Sequence, residues 1–194
     1  MGLIANLRND LEFYRKISGK RGLLAVVLDR NFLVCANYRL GYWASRLTQP
    51  LTGTLMRAFY VFSNLIVSTI SGTDIRSGAV IGQRFNVHTS FGIMIADGVV
   101  IGDDCTVFTG ACVVNKANFR HDGQPRIGNN VKLGAGCKVL GGVTIGDNVV
   151  VGANAVVVRD VPSYHMAVGV PAQNKPLPSN WADLQAGEFA ELTR

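Results

Sequence analysis

The sequence predicts a mainly β protein, a parallel β-helix preceded by an α-helical region. An apolar or small residue recurs every six positions from Ile75 onward, and a glycine often follows it. The segment before it, up to residue 72, instead carries helix-like apolar and charged stretches. A strand repeats every two residues and a helix every 3.6, so neither alone gives a period of six. Six residues fit one side of a triangular prism, where a short strand is followed by a tight turn.

The six-residue period is long enough to predict one continuous solenoid. Residues at the period positions would point into the prism and stack on the residue one coil above, which buries an apolar column. An ordinary sandwich with regular strands is the alternative, and thirteen positions in register disfavour it. Hexads are expected to run without a gap from the start of the repeats to residue 116, and to resume at residue 127 after an interruption. The period positions are Ile75, Ile81, Val87, Ile93, Val99, Cys105, Ala111, Ile127, Leu133, Val139, Ile145, Val151 and Val157.

The chain is expected to have three parts: a helical region over 1–72, the β-helix over 73–162 and a C-terminal cap over 163–194. The polar segment 117–126, with the sequence ANFRHDGQPR, breaks the period and should protrude as a loop. Loops on a rigid solenoid often carry functional residues. The C-terminal part contains several prolines and a short predicted helix around Trp181 to Leu192.

Three helices are expected in the N-terminal region, at about 3–17, 23–47 and 51–70. The third is twenty residues long and largely apolar, but it contains Arg57 and Asn64. A membrane-spanning helix tolerates such a charge poorly. A buried or interfacial helix is therefore favoured over a spanning one.

Composition narrows the choice of partners and of compartment. The chain is 48% hydrophobic and 16% charged, which excludes disorder, and its net charge is +6. A basic surface attracts membrane lipid or phosphorylated ligands, and no nucleic-acid-binding motif is present. The four cysteines form no CxxC pair, which favours a reducing cytoplasm. The apolar, basic N-terminal region predicts association with the inner face of the membrane. No His, Cys and carboxylate cluster has the spacing of a metal site.

The repeats resemble a known enzyme family. Asp74-Ile75, the hexads, the ten-residue loop and the run IGNNVKLGAGCKVLGGVTIGDNVVVGANAVVV, with the later VP and GVPA, are similar to serine acetyltransferases. They look closer still to exopolysaccharide O-acetyltransferases of the colanic acid type. The resemblance covers about Ser68 to Lys175. It implies a left-handed coil, acetyl-CoA as donor, and a homotrimer with active sites between subunits, which could pair with another through the N-terminal helices.

The resemblance also locates the candidate catalytic residues, with departures from the family. The family's catalytic histidine falls at Thr89, and the histidine of this hexad is His88, one place earlier. The family's second histidine falls at Gln124, with His121 three residues upstream. Its aspartate partner is matched by Asp74.

Acetyl transfer from a thioester to a hydroxyl needs a base to accept the hydroxyl proton, and an imidazole suits that role near neutral pH. We expect His88 to be the base and Asp74 to orient it, with His121 as the alternative base or an acceptor-binding residue. The remaining histidine, His165, follows the repeats and is expected to be structural.

The resemblance places coenzyme A along the later coils, where small residues let its pantetheine arm approach the backbone. An acceptor pocket is expected at the end of the last hexad before the loop. The candidate donor-site residues are Gly134, Ala135, Gly152, Ala153, Gly169, Pro171 and Lys175, and the candidate acceptor-site residues are Asn115 and Lys116.

The sequence predicts an acetyl-CoA-dependent O-acetyltransferase acting on a sugar hydroxyl in capsule or exopolysaccharide assembly. The apolar, basic N-terminal region would hold it beside a lipid-linked sugar. Three alternatives remain: serine as the acceptor, N-acetylation of an amino sugar, and a non-catalytic β-helix scaffold.

Overall fold

The structure, a computed structural model, describes residues 3–17, 23–115 and 123–178. Helices occupy the N-terminal part and short strands the rest. The helices are α1 (Leu3–Ile17), α2 (Leu23–Val27), α3 (Arg30–Ala44) and α4 (Pro50–Ser71). The strands are β1 (Asp74–Ile75), β2 (Val80–Ile81), β3 (Asn86–Val87), β4 (Met94–Ile95), β5 (Val100–Ile101), β6 (Thr106–Val107), β7 (Cys112–Val114), β8 (Arg126–Ile127), β9 (Lys132–Leu133), β10 (Lys138–Leu140), β11 (Thr144–Ile145), β12 (Val150–Val151), β13 (Val156–Val157), β14 (His165–Val168) and β15 (Gln173–Pro176).

The strands form three parallel sheets, one on each side of a prism. Face A has the order β1-β4-β7-β10-β13, face B the order β2-β5-β8-β11, and face C the order β3-β6-β9-β12-β14, with β15 antiparallel at its edge. Successive strands visit A, B and C in turn, so each coil lies on the one before. We name the corners by the faces they join, in chain order: A/B, B/C and C/A.

The hexads are not continuous, which corrects the sequence prediction. Ile75 pairs with Ile95 across neighbouring coils, not with Ile93, because the corner after Val87 is two residues longer than a regular one. The period survives because each hexad buries two side chains, one in the strand and one in the preceding corner. Ile93, in the corner, and Ile95, in the strand, are both buried. An insertion of two residues therefore moves the six-residue period from the strand positions to the corner positions, and the apolar pattern in the sequence continues unbroken.

The second predicted helix is two helices. α2 ends at Val27, and α3 begins after Asp29, whose side chain accepts a 2.9 Å hydrogen bond from the N–H of Asn31. This is the standard N-cap contact, and it ends one helix and starts the next. Asp29 was the signal in the sequence that the prediction overlooked.

The helices close the open end of the prism. The first coil has no coil before it, so its backbone groups would lie buried without partners. Tyr38 donates to the carbonyl of Ala79 at 2.9 Å and accepts from the N–H of Ile81 at 3.1 Å. Tyr14 accepts from the N–H of Val87 at 2.7 Å. Side chains of α1 and α3 thus replace the missing coil.

At the opposite end, β14 continues face C and β15 folds back against it, pairing Met166 with Lys175. This hairpin covers the edge of the last coil. The helix predicted around Trp181 to Leu192 lies outside the described residues.

Candidate functional site

Both main catalytic candidates lie at the C/A corner of the first coil. Asp74 begins β1 on face A, and His88 follows β3 at the end of face C. The N–H of Asp74 donates to the carbonyl of Ile93 at 2.8 Å, and the N–H of Gly92 donates to the carbonyl of Ser71 at 3.3 Å. The lengthened corner that carries His88 therefore lies directly against the chain entering β1.

The His88 side chain is exposed at the surface of this corner. Its ring stacks on Phe108 of the next coil, with centroids 4.6 Å apart and planes at 25°. Its Nδ1 lies 3.3 Å from the Thr89 hydroxyl, and its carbonyl accepts a 3.0 Å hydrogen bond from Asn31. The imidazole is thus accessible to a substrate while its backbone and one ring face are held.

The Asp74 carboxylate is paired with Arg76, Nε to Oδ2 at 3.1 Å, in a partly exposed ion pair. No hydrogen bond in the structure joins this carboxylate to the His88 ring. A carboxylate orients an imidazole through such a bond, so the orienting role of Asp74 stays a prediction.

The positions of the two family histidines lie at different corners. Thr89 is beside His88, whereas Gln124 lies at the A/B corner, where its Cγ is 2.8 Å from the place of a β-carbon on Gly98. The Gln124 Oε1 is buried and has no hydrogen-bond partner among the described residues. His121 lies outside the described residues, as does Lys116.

The donor-site candidates stack above His88 at the same C/A corner. Thr109 follows Phe108, and its carbonyl accepts a 2.8 Å hydrogen bond from Gly136 in the coil above, where Gly134 and Ala135 also lie. The Ala135 carbonyl in turn accepts from Asn154 at 2.8 Å, beside Gly152 and Ala153. We call this column of small corner residues, at 134–136 and 152–154, the corner column.

The glycines of the corner column have no space for a side chain between the stacked coils. A β-carbon on Gly134 would lie 2.6 Å from the Val151 carbonyl oxygen, and one on Gly152 would lie 2.9 Å from Val168 Cγ1. These glycines are thus required by coil stacking alone. The small, partly exposed residues of the column would also allow a slender pantetheine chain to lie close to the backbone.

The last donor-site candidates lie at the end of the prism. Gly169 continues the C/A corner, where its carbonyl accepts a 3.0 Å hydrogen bond from Val156. Pro171 lies between β14 and β15, and Lys175 is on β15, whose residues are exposed. His165 Nδ1 lies 2.9 Å from the Ser163 carbonyl.

Asn115 follows β7 and so lies at the A/B corner. Within one chain the width of face A separates it from His88, so the two could share a site only across two chains. An open cavity of about 310 Å³ also lies at the A/B corner, lined by residues that include Gly141, Arg159 and Asp160. It is not part of the His88 corner.

Sequence reasoning missed two residues that contact His88. Phe108 and Asn31 hold the ring and the backbone of His88. Phe108 occupies the corner one coil later, and it could have been found from the sequence only if the two-residue insertion had been recognised. Asn31 comes from the helical region, and no feature of the sequence connects it to the repeats. No group of three or more His, Cys, Asp or Glu that could hold a metal occurs among the described residues.

Residues 124–159 match the family model of the bacterial transferase hexapeptide (six repeats). The chain carries bacterial transferase hexapeptide repeats. The serine acetyltransferase of Synechococcus elongatus is 30% identical over 161 residues, 83% of this chain and 63% of the relative. That of Mycobacterium tuberculosis is 38% identical over 136 residues, 70% of this chain and 56% of the relative. The solved structure of Brucella abortus serine acetyltransferase with coenzyme A aligns with a TM-score of 0.76 at 23% identity, covering 91% of this chain and 68% of that one.

These comparisons confirm the predicted fold class and correct the predicted function. The repeats form a left-handed parallel β-helix with N-terminal helices. The expected sugar acceptor is wrong, because the relatives are serine acetyltransferases. The closer resemblance to exopolysaccharide enzymes is not shown either. The hexapeptide-repeat chain spans less than two thirds of the length of these curated relatives, 63% and 56%.

Proposed function

We propose that the chain is an acetyl-CoA-dependent acyltransferase that O-acetylates serine. The observation that carries the proposal is the corner column rising from His88, on a fold shared with a serine acetyltransferase whose structure contains coenzyme A. The column consists of small residues that would let the pantetheine arm lie close to the backbone, and His88 at the same corner has an exposed imidazole. The identity of the curated relatives favours serine as the acceptor.

In the proposed reaction His88 accepts the proton of the serine hydroxyl as the oxygen attacks the thioester carbonyl carbon. The carbon–sulfur bond then breaks, and the imidazolium returns the proton to the departing thiolate. The products are O-acetylserine and free coenzyme A, and no covalent enzyme intermediate is required. Because Nδ1 lies beside Thr89, Nε2 is the nitrogen left to face the acceptor.

We propose that the active unit is a trimer with each site shared by two chains. His88 lies at the C/A corner and Asn115 at the A/B corner, so a single prism cannot bring them together. We propose that Asn115 of one chain meets His88 of a neighbouring chain. Light scattering of the purified protein should give three times the chain mass, and a monomer with full activity would contradict this arrangement.

We propose a cytoplasmic location for the enzyme. Cys35, Cys105, Cys112 and Cys137 are all free thiols, as expected in a reducing compartment. Fractionation of cells that express the protein with a reporter tag would test this location. Recovery of the tagged protein in the secreted fraction would contradict it.

Incubation of the pure protein with acetyl-CoA and L-serine tests the proposed reaction. Free thiol and O-acetylserine should form together and depend on serine. His88→Gln should lower kcat by about 10²–10⁴, the usual loss on removing a general base, whereas the matched change His165→Gln should leave it near wild type. Thiol release without serine, or an active His88→Gln protein, would reject the proposal.

A second candidate is a β-helix that binds coenzyme A without transferring the acetyl group. Thr89 and Gln124 stand where the family has its histidines, and this observation favours it. Calorimetry separates the two candidates: binding of acetyl-CoA with no product at any serine concentration would support binding alone.

A further inference from the structure

Helix α4 exposes an apolar stripe whose side chains are each at least 45% exposed. Phe62 is 63% exposed and Leu51 74%, although both are large apolar side chains. The stripe members are spaced by three or four residues, so they share one side of the helix along its whole length. We define the α4 stripe as Leu51, Leu55, Phe59, Phe62, Ile66 and Ile70.

The opposite side of α4 is bound to the protein by polar contacts. Asn37 of α3 donates to Asn64 at 2.9 Å, and Ser63 donates to Asn37 at 2.7 Å. Arg57 Nη2 donates to the Leu47 carbonyl at 3.0 Å. Among the described helices α4 alone is long and apolar enough to cross a membrane, but this polar face is already committed to α3. Because one side of α4 is bonded to α3, the helix can lie along a lipid surface, but lipid cannot surround it as it surrounds a membrane-spanning helix.

The charge of the chain is concentrated on the same region. Residues 1–72 hold nine Lys or Arg against three Asp or Glu, a net +6 that equals the formal charge of the whole chain. One of the three acids, Asp10, is buried and paired with Arg39. Within residues 1–72, the exposed cations that the structure describes are Arg8, Arg15, Lys16, Arg30, Arg46 and Arg57.

This charge distinguishes between two possible occupants of the stripe. A second copy pairing face to face would bring two regions of +6 together, which is electrostatically unfavourable. An anionic bilayer supplies the opposite charge and an apolar layer for the stripe to enter, and each nearby Lys or Arg strengthens such binding.

We propose that α4 docks the protein on an anionic lipid surface, lying in the interface with its stripe in the acyl boundary. The C-terminal end of α4 adjoins the lengthened corner, where Phe91 is 60% exposed and the Gly92 N–H donates to the Ser71 carbonyl at 3.3 Å. Docking would therefore hold the His88 corner beside the membrane.

Flotation of the full-length protein with vesicles tests the proposal independently of any catalytic activity. It should float with phosphatidylcholine vesicles that contain phosphatidylglycerol, bind weakly to phosphatidylcholine alone, and dissociate in high salt. Phe62→Glu should lower partitioning at least about tenfold, because the apolar side chain is lost from the acyl region. The matched control is Thr54→Glu, which adds the same charge to an exposed position of α4 beside the stripe.

Three results would overturn the proposal. The first is no flotation, or equal flotation of wild type and Phe62→Glu with unchanged circular dichroism. The second is a wild-type particle that halves in mass with Phe62→Glu and does not bind vesicles, which would identify a second copy as the occupant. The third is binding that resists carbonate extraction with α4 protected from protease, which would identify a spanning helix.

Discussion

Replacing Arg39 with leucine should strongly destabilise the protein, because Arg39 joins the helical region to the first coil. Its side chain is 3% exposed and that of Asp10 is 0% exposed. The Arg39 Nε lies 2.8 Å from Asp10 Oδ2, and its Nη1 donates to the Ile81 carbonyl at 2.7 Å. The Arg84 N–H also donates to Asp10 at 3.0 Å. One guanidinium and one carboxylate thus connect α1, α3 and the prism.

The size of the effect follows from what Arg39→Leu leaves behind. Asp10 would remain as a buried charge without its cation, which costs about 3–5 kcal/mol. The Ile81 carbonyl would lose a partner at the open end of the prism, which costs about 1–3 kcal/mol when the group stays buried. Because water can enter the site and relieve part of both losses, we expect the total to stay within the first range, about 3–5 kcal/mol.

Urea unfolding followed by circular dichroism at one fixed protein concentration measures this loss. The double variant Asp10→Leu with Arg39→Leu should recover at least about 1 kcal/mol, since no unpaired charge remains. Arg8→Leu is the surface control: its partner Glu12 is exposed, and such pairs contribute less than about 1 kcal/mol. A loss below about 1 kcal/mol for Arg39→Leu, or a double variant no more stable than the single one, would refute the reasoning.

Three further predictions concern the corners and the core. Phe108→Leu should lower kcat about two- to tenfold at unchanged melting temperature by releasing the His88 ring, as measured by serine-dependent thiol release; an unchanged kcat would show that the stack has no catalytic role. Gly136→Ala should cost about 1–2 kcal/mol in urea unfolding, because its φ of +71° disfavours any β-carbon; equal stability would contradict that strain. Burial raises the pKa of the Cys105 and Cys137 thiols to about 12 from 9.0. As the pH rises, the thiols therefore ionise in the unfolded chain before they ionise in the folded one, and each should lower the free energy of unfolding by about 1.4 kcal/mol at pH 10. In urea unfolding the Cys105→Ala and Cys137→Ala variants should lose less stability than wild type between pH 8 and about 10, and an equal loss would contradict this reasoning.

The solenoid was predictable because its period is set by one repeated physical requirement. Each coil must bury the same two positions per side, as Val99 and Ile101 do on one side of a coil. An insertion of two residues does not disturb this pattern, because the period then passes from the buried strand positions to the buried corner positions. For that reason the sequence predicted continuous hexads where the structure has a lengthened corner.

The site was predictable only in its repeated part. Counting hexads places Gly134 and Gly152 one coil apart at one corner, and the structure places them there. The contacts of His88 with Phe108 and Asn31 could not be counted in this way, since one crosses the insertion and the other comes from α3. The acceptor was inferred from a resemblance in sequence, and the curated relatives corrected it.

The lengthened corner can exist in the first coil because a helix lies beneath it. An inner corner such as 134–137 has four residues, and its backbone is bonded to the coils on both sides, as when Gly136 donates to Thr109. Two added residues there would break hydrogen bonds in two layers. The C/A corner of the first coil, 88–93, has six residues and a coil on one side only. On its other side Asn31 accepts from the Ser90 N–H at 2.8 Å and donates to the His88 carbonyl at 3.0 Å. The helical region therefore does more than close the prism: it supports an irregular corner that regular coil stacking would exclude, and that corner is the one that presents His88.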